Sequence, residues 1–367
     1  MKLIRPIICI CIFLQISVSF GQQDSVKMVV AKNVEIDSSG IDPEAQKAYN
    51  DGISAYEMKQ FEKAKESFTR AIQLAPDFEK AYNNRAYTNL ALKSTSEAES
   101  DFKEVLRLNP TADKIYFELG LLAANKDEPE KAIQFFSDAI IYNAENENYH
   151  YQKGIQNFKL QNYEQAILDF SEAINRKKNF ADAYNDRGSA YRKSDNLDEA
   201  IADYKKAILA NPQLIIAHNN LGSAYRLKGD YKNAILAYNK AIALDNSNYL
   251  IYNNRGYSRF ESGDLDGAQK DFEEAVRLNK DYASAYNNIA SVFLKKEDFQ
   301  KAVEFASLAI AKDETLGSAY YNRGVAYEML RLSDKACEDW LKAASLGIII
   351  ADKYFTSSAC EQIISKQ

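Results

Sequence analysis

The chain repeats itself every 34 residues, nine times in succession, with no insertion or deletion between residues 45 and 350. A unit this short cannot bury an apolar face alone. Neighbouring units must therefore stack to share a core, and function falls on a surface rather than in a pocket. The nine units are 45–78, 79–112, 113–146, 147–180, 181–214, 215–248, 249–282, 283–316 and 317–350. Numbering each from 1 to 34 turns the sequence into columns. Column 8 is small throughout, as Gly52, Ala86, Gly120, Gly154, Gly188, Gly222, Gly256, Ala290 and Gly324. Column 20 is Ala in every unit, and column 27 is Ala except at Val105. Column 24 is aromatic (Phe68, Phe102, Phe136, Phe170, Tyr204, Tyr238, Phe272, Trp340) except at Ala306, which follows Phe305. Small residues facing large ones at helical spacing mark an antiparallel helix pair.

Units six and seven show the pattern most clearly, as "AHNNLGSAYRLKGDYKNAILAYNKAIALD" and "IYNNRGYSRFESGDLDGAQKDFEEAVRLN". Together with the in-phase columns, these segments resemble the tetratricopeptide repeat family over about five-sixths of the chain. The resemblance implies an all-α fold, a right-handed α-solenoid superhelix of antiparallel helix pairs. Helix A should occupy columns 2–14 and helix B columns 17–30. Gly229-Asp230 and Gly263-Asp264 in the turn suit the end of one helix and the cap of the next. Pro76, Pro110 and Pro212 stand in column 32, where they stop helix B, and Pro129 reads as a first-turn proline. Residues 351–367 carry Tyr354, Phe355, Ala359, Ile363 and Ile364 at helical spacing and are expected to form a C-terminal capping helix over the last unit.

Residues 1–21 read as a signal peptide. Lys2 and Arg5 precede an apolar run over 6–20, and Ser19-Phe20-Gly21 offers a small-x-small cleavage site. The run is too short to span a bilayer, and Cys9 and Cys11 follow bulky isoleucines rather than the small residue of a lipid-attachment box. Residues 22–44 are polar and aperiodic, a flexible linker. The expected location is therefore the periplasm or cell surface of a Gram-negative bacterium. Beyond the leader only Cys337 and Cys360 remain, one on the last helix B and one on the capping helix, and in an exported chain they are a disulfide candidate. A formal charge of −6 argues against general binding to nucleic acid or anionic membranes.

Columns 7 and 23 vary together. Arg85, Lys153, Arg187, Arg255 and Arg323 in column 7 accompany Asp101, Asp169, Asp203, Asp271 and Asp339 in column 23. Three other units are apolar at both positions: Leu119 with Phe135, Leu221 with Ala237, Ile289 with Phe305. Matched cations and carboxylates imply structural ion pairs between the two helices of a unit; the alternative is a row of cations for an acidic ligand.

By family resemblance, columns 2, 5, 6, 9, 12 and 13 face the concave groove. Column 6 is always an amide or carboxyl, including Asn84, Asn220, Asn254, Asn288 and Asn322, and column 5 adds Asn219 and Asn253. Asn is mediocre inside helices. A row of amides that donate and accept suits the main chain of an extended peptide, as in the asparagine ladder of the O-linked N-acetylglucosamine transferase family. Tyr257 and Phe260 would supply side-chain pockets. The competing reading is that these amides bond the adjacent repeat or are solvated. Column 5 lacks the Lys, and column 9 the Asn, of the chaperone-tail clamp.

Catalysis finds little support. His150 and His218 share column 4, where Tyr normally packs, and lie two units apart, too far to share a metal. No phosphate loop or nucleophile elbow is present. No cofactor is expected. The sequence thus describes a non-enzymatic scaffold that holds a protein or peptide partner in its groove. The alternatives are a structural subunit of an envelope or secretion assembly and, more remotely, a regulatory subunit of an enzyme complex.

Overall fold

The computed structural model describes residues 41–357 and residue 360, all of its regular structure helical. The expected signal peptide, most of the expected linker, and residues 358, 359 and 361–367 of the expected cap lie outside the described residues. The chain divides between Ser194 and Asp195 into two compact bodies. The first holds α1 (Pro43–Glu57), α2 (Phe61–Leu74), α3 (Glu79–Ala91), α4 (Thr95–Leu108), α5 (Asp113–Asn125), α6 (Pro129–Tyr142), α7 (Glu147–Lys159), α8 (Tyr163–Arg176) and α9 (Ala181–Lys193). The second begins with α10 (Leu197–Ala210), α11 (Ile215–Leu227), α12 (Tyr231–Leu244), α13 (Tyr249–Glu261) and α14 (Leu265–Leu278). It continues with α15 (Ala283–Lys295), α16 (Phe299–Lys312), α17 (Gly317–Met329), α18 (Ser333–Ser345) and α19 (Ile349–Ser357). Odd helices up to α17 are the A elements and even ones the B elements. Within each body every helix packs on its neighbours in sequence, and the odd helices α11, α13, α15 and α17 also touch one another in series.

One boundary differs from expectation. Helix α1 begins at Pro43, inside the segment read as linker, because Asp42-Pro43 is itself a start signal. The Asp42 carboxylate accepts from the amides of Glu44 (2.7 Å) and Ala45 (3.3 Å), and proline suits the first turn, where no amide partner is needed.

Every turn from A to B uses one conformation. Column 15 has positive φ in all nine units, at 59–63° for Lys59, Lys93, Asp127, Gln161, Asp195, Glu297 and Arg331, and at 76° and 89° for Gly229 and Gly263. The column-16 amide then returns to the column-11 carbonyl, as from Gln60 to Ala55 (2.8 Å) and from Asp264 to Arg259 (2.9 Å). This satisfies carbonyls that a helix end would leave orphaned. Glycine announces the turn in only two units; in the others the same backbone is imposed on ordinary side chains.

The core follows the columns. Helix α14 buries Ala268, Asp271, Phe272 and Ala275 along one face, and α2 buries Ala64, Phe68, Ala71 and Ile72. The column-24 ring lies against the column-8 glycine of helix A. A Cβ placed on Gly256 would stand 2.8 Å from Phe272, and one on Gly222 2.7 Å from Tyr238, inside van der Waals contact. Unit eight compensates for its missing ring. Ala290 faces that gap with Ala306, both fully buried, while Phe305 stacks on Phe293 with ring centroids 5.4 Å apart.

At the end of the second body, α19 lays Tyr354 against Trp340 (5.3 Å) and Tyr321 (5.6 Å). Cys337 and Cys360 are disulfide-bonded, with Cα atoms 5.3 Å apart and a sequence separation of 23. A loop of that size stabilises by about 3 kcal/mol in the chain-entropy model. Reduction, or Cys360→Ser, is therefore expected to lower the local stability of α18 and α19 by about that amount. Faster amide exchange confined to those helices would show it; unchanged exchange would mean that the ring packing alone seats the end.

Candidate interaction surface on the odd-numbered helices

The column-7 cations of helix A are engaged inside the fold. The Arg85 guanidinium forks onto Asp101, Nη2 to Oδ1 at 2.6 Å and Nε to Oδ2 at 2.9 Å. Arg255 repeats the fork on Asp271 at 2.6 and 2.9 Å, and Arg323 on Asp339 at 2.8 Å through both nitrogens. Lys153 approaches Asp169 at 3.6 Å. Arg187 lies in the first body and Asp203 in the second; within its own body each has another partner, Ser171 Oγ at 2.8 Å for Arg187 and Lys206 at 3.6 Å for Asp203. Burial pushes the Asp339 carboxyl above the ordinary carboxylate range despite the pull of Arg323, so the pair is held by geometry against a real desolvation cost.

The same arginines have a second anchor that column covariation between 7 and 23 does not reveal. Arg85 donates to Thr69 Oγ1 (3.1 Å), Arg255 to Asn239 Oδ1 (2.7 Å) and Arg323 to Ser307 Oγ (3.1 Å), each 16 residues back on the preceding helix B. The signal was present in column 25. Thr69, Ser137, Ser171, Asn239 and Ser307 stand in the units that precede a column-7 cation, whereas Lys103, Lys205 and Glu273 precede an apolar column 7. The arginines also lie over the column-4 rings of Tyr82, Tyr184, Tyr252 and Tyr320 at 5.5–5.6 Å. A cation tied to two helices and a ring is not a free ligand site.

The column-4 histidines do what the tyrosines do. His150 Nε2 is 2.9 Å from the Ala144 carbonyl, and His218 Nε2 3.1 Å from that of Pro212. The Tyr116 and Tyr286 hydroxyls bond the equivalent carbonyls of Pro110 and Lys280.

The expectation of an open amide ladder needs correction. Asn84, Asn219, Asn220, Asn253, Asn288 and Asn322 are all buried. Column 6 of one unit donates to column 5 of the unit before: Asn84 Nδ2 to Tyr49 Oη (3.0 Å), Asn254 to Asn219 Oδ1 (3.2 Å), Asn288 to Asn253 Oδ1 (2.9 Å), Asn322 to Asn287 Oδ1 (2.9 Å). Each donating amide thus finds its acceptor on the neighbouring A helix, as a polar group withdrawn from water must. Phe260 is also corrected: it is buried in the core with Phe293 and Ile289, not set in a pocket.

What stays open differs between the bodies. On α13, Leu250, Asn254 and Tyr257 are half-buried and Glu261 is exposed, one stripe at i, i+4, i+7 and i+11. The Arg226 guanidinium of α11 lies 4.9 Å over the Tyr257 ring. Burial and the neighbouring Glu261 carboxylate push the Tyr257 phenol up to about 12. In the first body, Glu118 of α5 is buried and accepts from Tyr87 Oη at 3.2 Å. Burial raises its carboxyl to about 7.

Stacked antiparallel helix pairs of fixed length define an all-α helical repeat protein, a class built for recognition. Tetratricopeptide repeat models match residues 49–113, 94–148, 179–247 and 253–316, and the chain belongs to the tetratricopeptide repeat family. Among solved structures, the Cut9–Hcn1 hetero-tetramer of the APC/C is 15% identical, with 86% of this chain and 76% of that one covered at a TM-score of 0.52. A tetratricopeptide repeat protein from Parabacteroides merdae is 19% identical (70% and 98% covered, TM-score 0.51). PilF of Pseudomonas aeruginosa is 18% identical (58% and 98% covered, TM-score 0.50). These likenesses concern the fold. Comparison with curated proteins found no match. Among the described residues no helix is long and apolar enough to cross a membrane.

Proposed function

We propose that this protein is an exported, non-enzymatic interaction scaffold that holds a segment of a protein partner along the groove face of its odd-numbered helices. The observation that carries the reading is the stripe Leu250, Asn254, Tyr257 and Glu261 on α13, where apolar, aromatic and acidic groups stay accessible beside an amide that is half-buried and whose Nδ2 is given to Asn219. A mixed surface of this kind suits an extended segment whose main chain meets the amide and whose side chains meet the ring. The leader-like first 21 residues and the Cys337–Cys360 bond fit an oxidising compartment, the periplasm or cell surface of a Gram-negative bacterium.

The test is a crosslinking pull-down from the native envelope with the parent chain and with Asn254→Ala plus Tyr257→Ala. The expected result is loss of the partner from the variant at unchanged helicity. Undiminished recovery of the same partner would remove the groove reading for this body. The alternative, a subunit of an envelope or secretion assembly, rests on Leu209 (83% exposed) and Ile349 (80% exposed). Single exposed apolar residues are ordinary on a protein surface, so the groove reading is preferred.

A further inference from the structure

Arg226 breaks the rule that governs its neighbours. Arg85, Arg255 and Arg323 each fork onto a carboxylate inside the fold, and Arg259 reaches Asp271 at 3.0 Å. Arg226 is more than nine-tenths buried, at 8% exposure. Yet among the described residues no carboxylate lies within ion-pair distance and no acceptor receives its guanidinium hydrogens. Its one contact of this kind is the Tyr257 ring, 4.9 Å from Cζ. A ring face attracts a cation but leaves its donors unused. The guanidinium nitrogens keep an edge to solvent, but a largely buried cation without a counter-ion still carries a desolvation cost, which a bound anion would offset.

The position fits a ligand. Arg226 reaches from α11 onto Tyr257, in the middle of the open stripe of α13, with Asn254 one turn before it and Glu261 one turn after. We infer that Arg226 is an anion subsite that takes the side-chain carboxylate of an acidic residue in the bound segment. A carboxylate matches both the planar fork and the single charge. A phosphate carries nearly twice that charge, which one guanidinium does not balance, and Glu261 beside Tyr257 and the overall charge of −6 oppose it further. An internal side chain is favoured over a chain end because polar groups continue along α13 on both sides of the cation, so the main chain has contacts in both directions. The inference rests on the groove reading and names the chemistry of its partner.

The probe is a fluorescein-labelled extended peptide with Asp and Glu at alternate positions and both ends blocked, titrated by anisotropy against the whole chain lacking residues 1–21. Three comparison peptides carry Asn and Gln in place of the acids, a free C-terminal carboxylate as the only acid, or phosphoserine in place of the acids. The acidic peptide should bind at least tenfold more tightly than the other three. Arg226→Met should erase that preference, and Arg226→Lys should weaken it about tenfold. Because the buried charge is unpaired in the free protein, Arg226→Met should leave the urea midpoint of the second body unchanged or raised, and Arg226→Gln serves if the methionine variant folds poorly. Equal binding of acidic and amide peptides, tighter binding of the terminal-acid or phosphorylated one, or binding indifferent to both variants would overturn the inference. Partner capture that needs Asn254 and Tyr257 but ignores Arg226 would leave the groove reading standing and remove only the anion subsite.

Discussion

Asp271→Ala is expected to destabilise the second body by about 3–5 kcal/mol, the cost of stranding a buried ion-pair partner. The carboxylate accepts from Arg255 at 2.6 and 2.9 Å and from Arg259 at 3.0 Å, and is 2% exposed. Its removal leaves two guanidinium groups facing an apolar gap beside Phe272. Unit three supplies the control, because it keeps the same glycine-and-ring packing, Gly120 against Phe136, with no charge at these columns. Transplanting its residues as Arg255→Leu, Arg259→Ala and Asp271→Phe should bring stability back to within about 1.5 kcal/mol of the parent. Urea unfolding with exchange protection on α13 and α14 reads both variants. A cost below about 1 kcal/mol for Asp271→Ala would show that water reaches the pair and screens it, as at an exposed ion pair.

The second large effect concerns pH in the first body. Burial of Glu118 raises its carboxyl from 4.5 to about 7, only partly opposed by the Tyr87 hydroxyl. The folded chain therefore keeps a proton that the unfolded chain releases near 4.5. Stability from this group is fully present below that value and is lost as pH rises towards 7, with a plateau above it. The loss is on the order of 3 kcal/mol. Glu118→Gln keeps the neutral shape and should flatten the dependence, so that the variant matches the parent near pH 4 and exceeds it at pH 8. Denaturation midpoints at pH 4, 6 and 8, with exchange read on α5, check the prediction. An equal pH slope in parent and variant would assign the dependence to other groups.

How much of this was legible in sequence depends on whether a column reports a pair or a face. Column 8 against column 24 is a pair, and Gly256 with Phe272 meet as a small residue opposite a large one should. The charges of columns 7 and 23 are also a pair, and Arg85, Arg255 and Arg323 reach their aspartates. The amides were harder. A column of Asn states that a polar side chain is wanted, but not whether its acceptor is a ligand or the next unit's Asn, and Asn288 with Asn253 shows the second outcome. That answer depends on how closely two successive A helices approach, which no single column states. The turn was concealed for another reason. Lys59 or Glu297 at positive φ leaves no local mark, since the flanking helices impose the conformation. Arg226 carried no signal at all, because the absence of a counter-charge shows only in three dimensions.

The backward reach of the column-7 arginines bears on how such an array comes apart. In a linear stack, cooperativity is a product of nearest-neighbour couplings, and here the links are unequal. Arg85 to Thr69, Arg255 to Asn239 and Arg323 to Ser307 stitch the second, seventh and ninth units to those before them. Leu119, Leu221 and Ile289 give the third, sixth and eighth no such stitch. Thermal agitation should therefore find ready-made seams ahead of α5, α11 and α15, and the protein should melt in blocks whose edges follow a single column of its sequence.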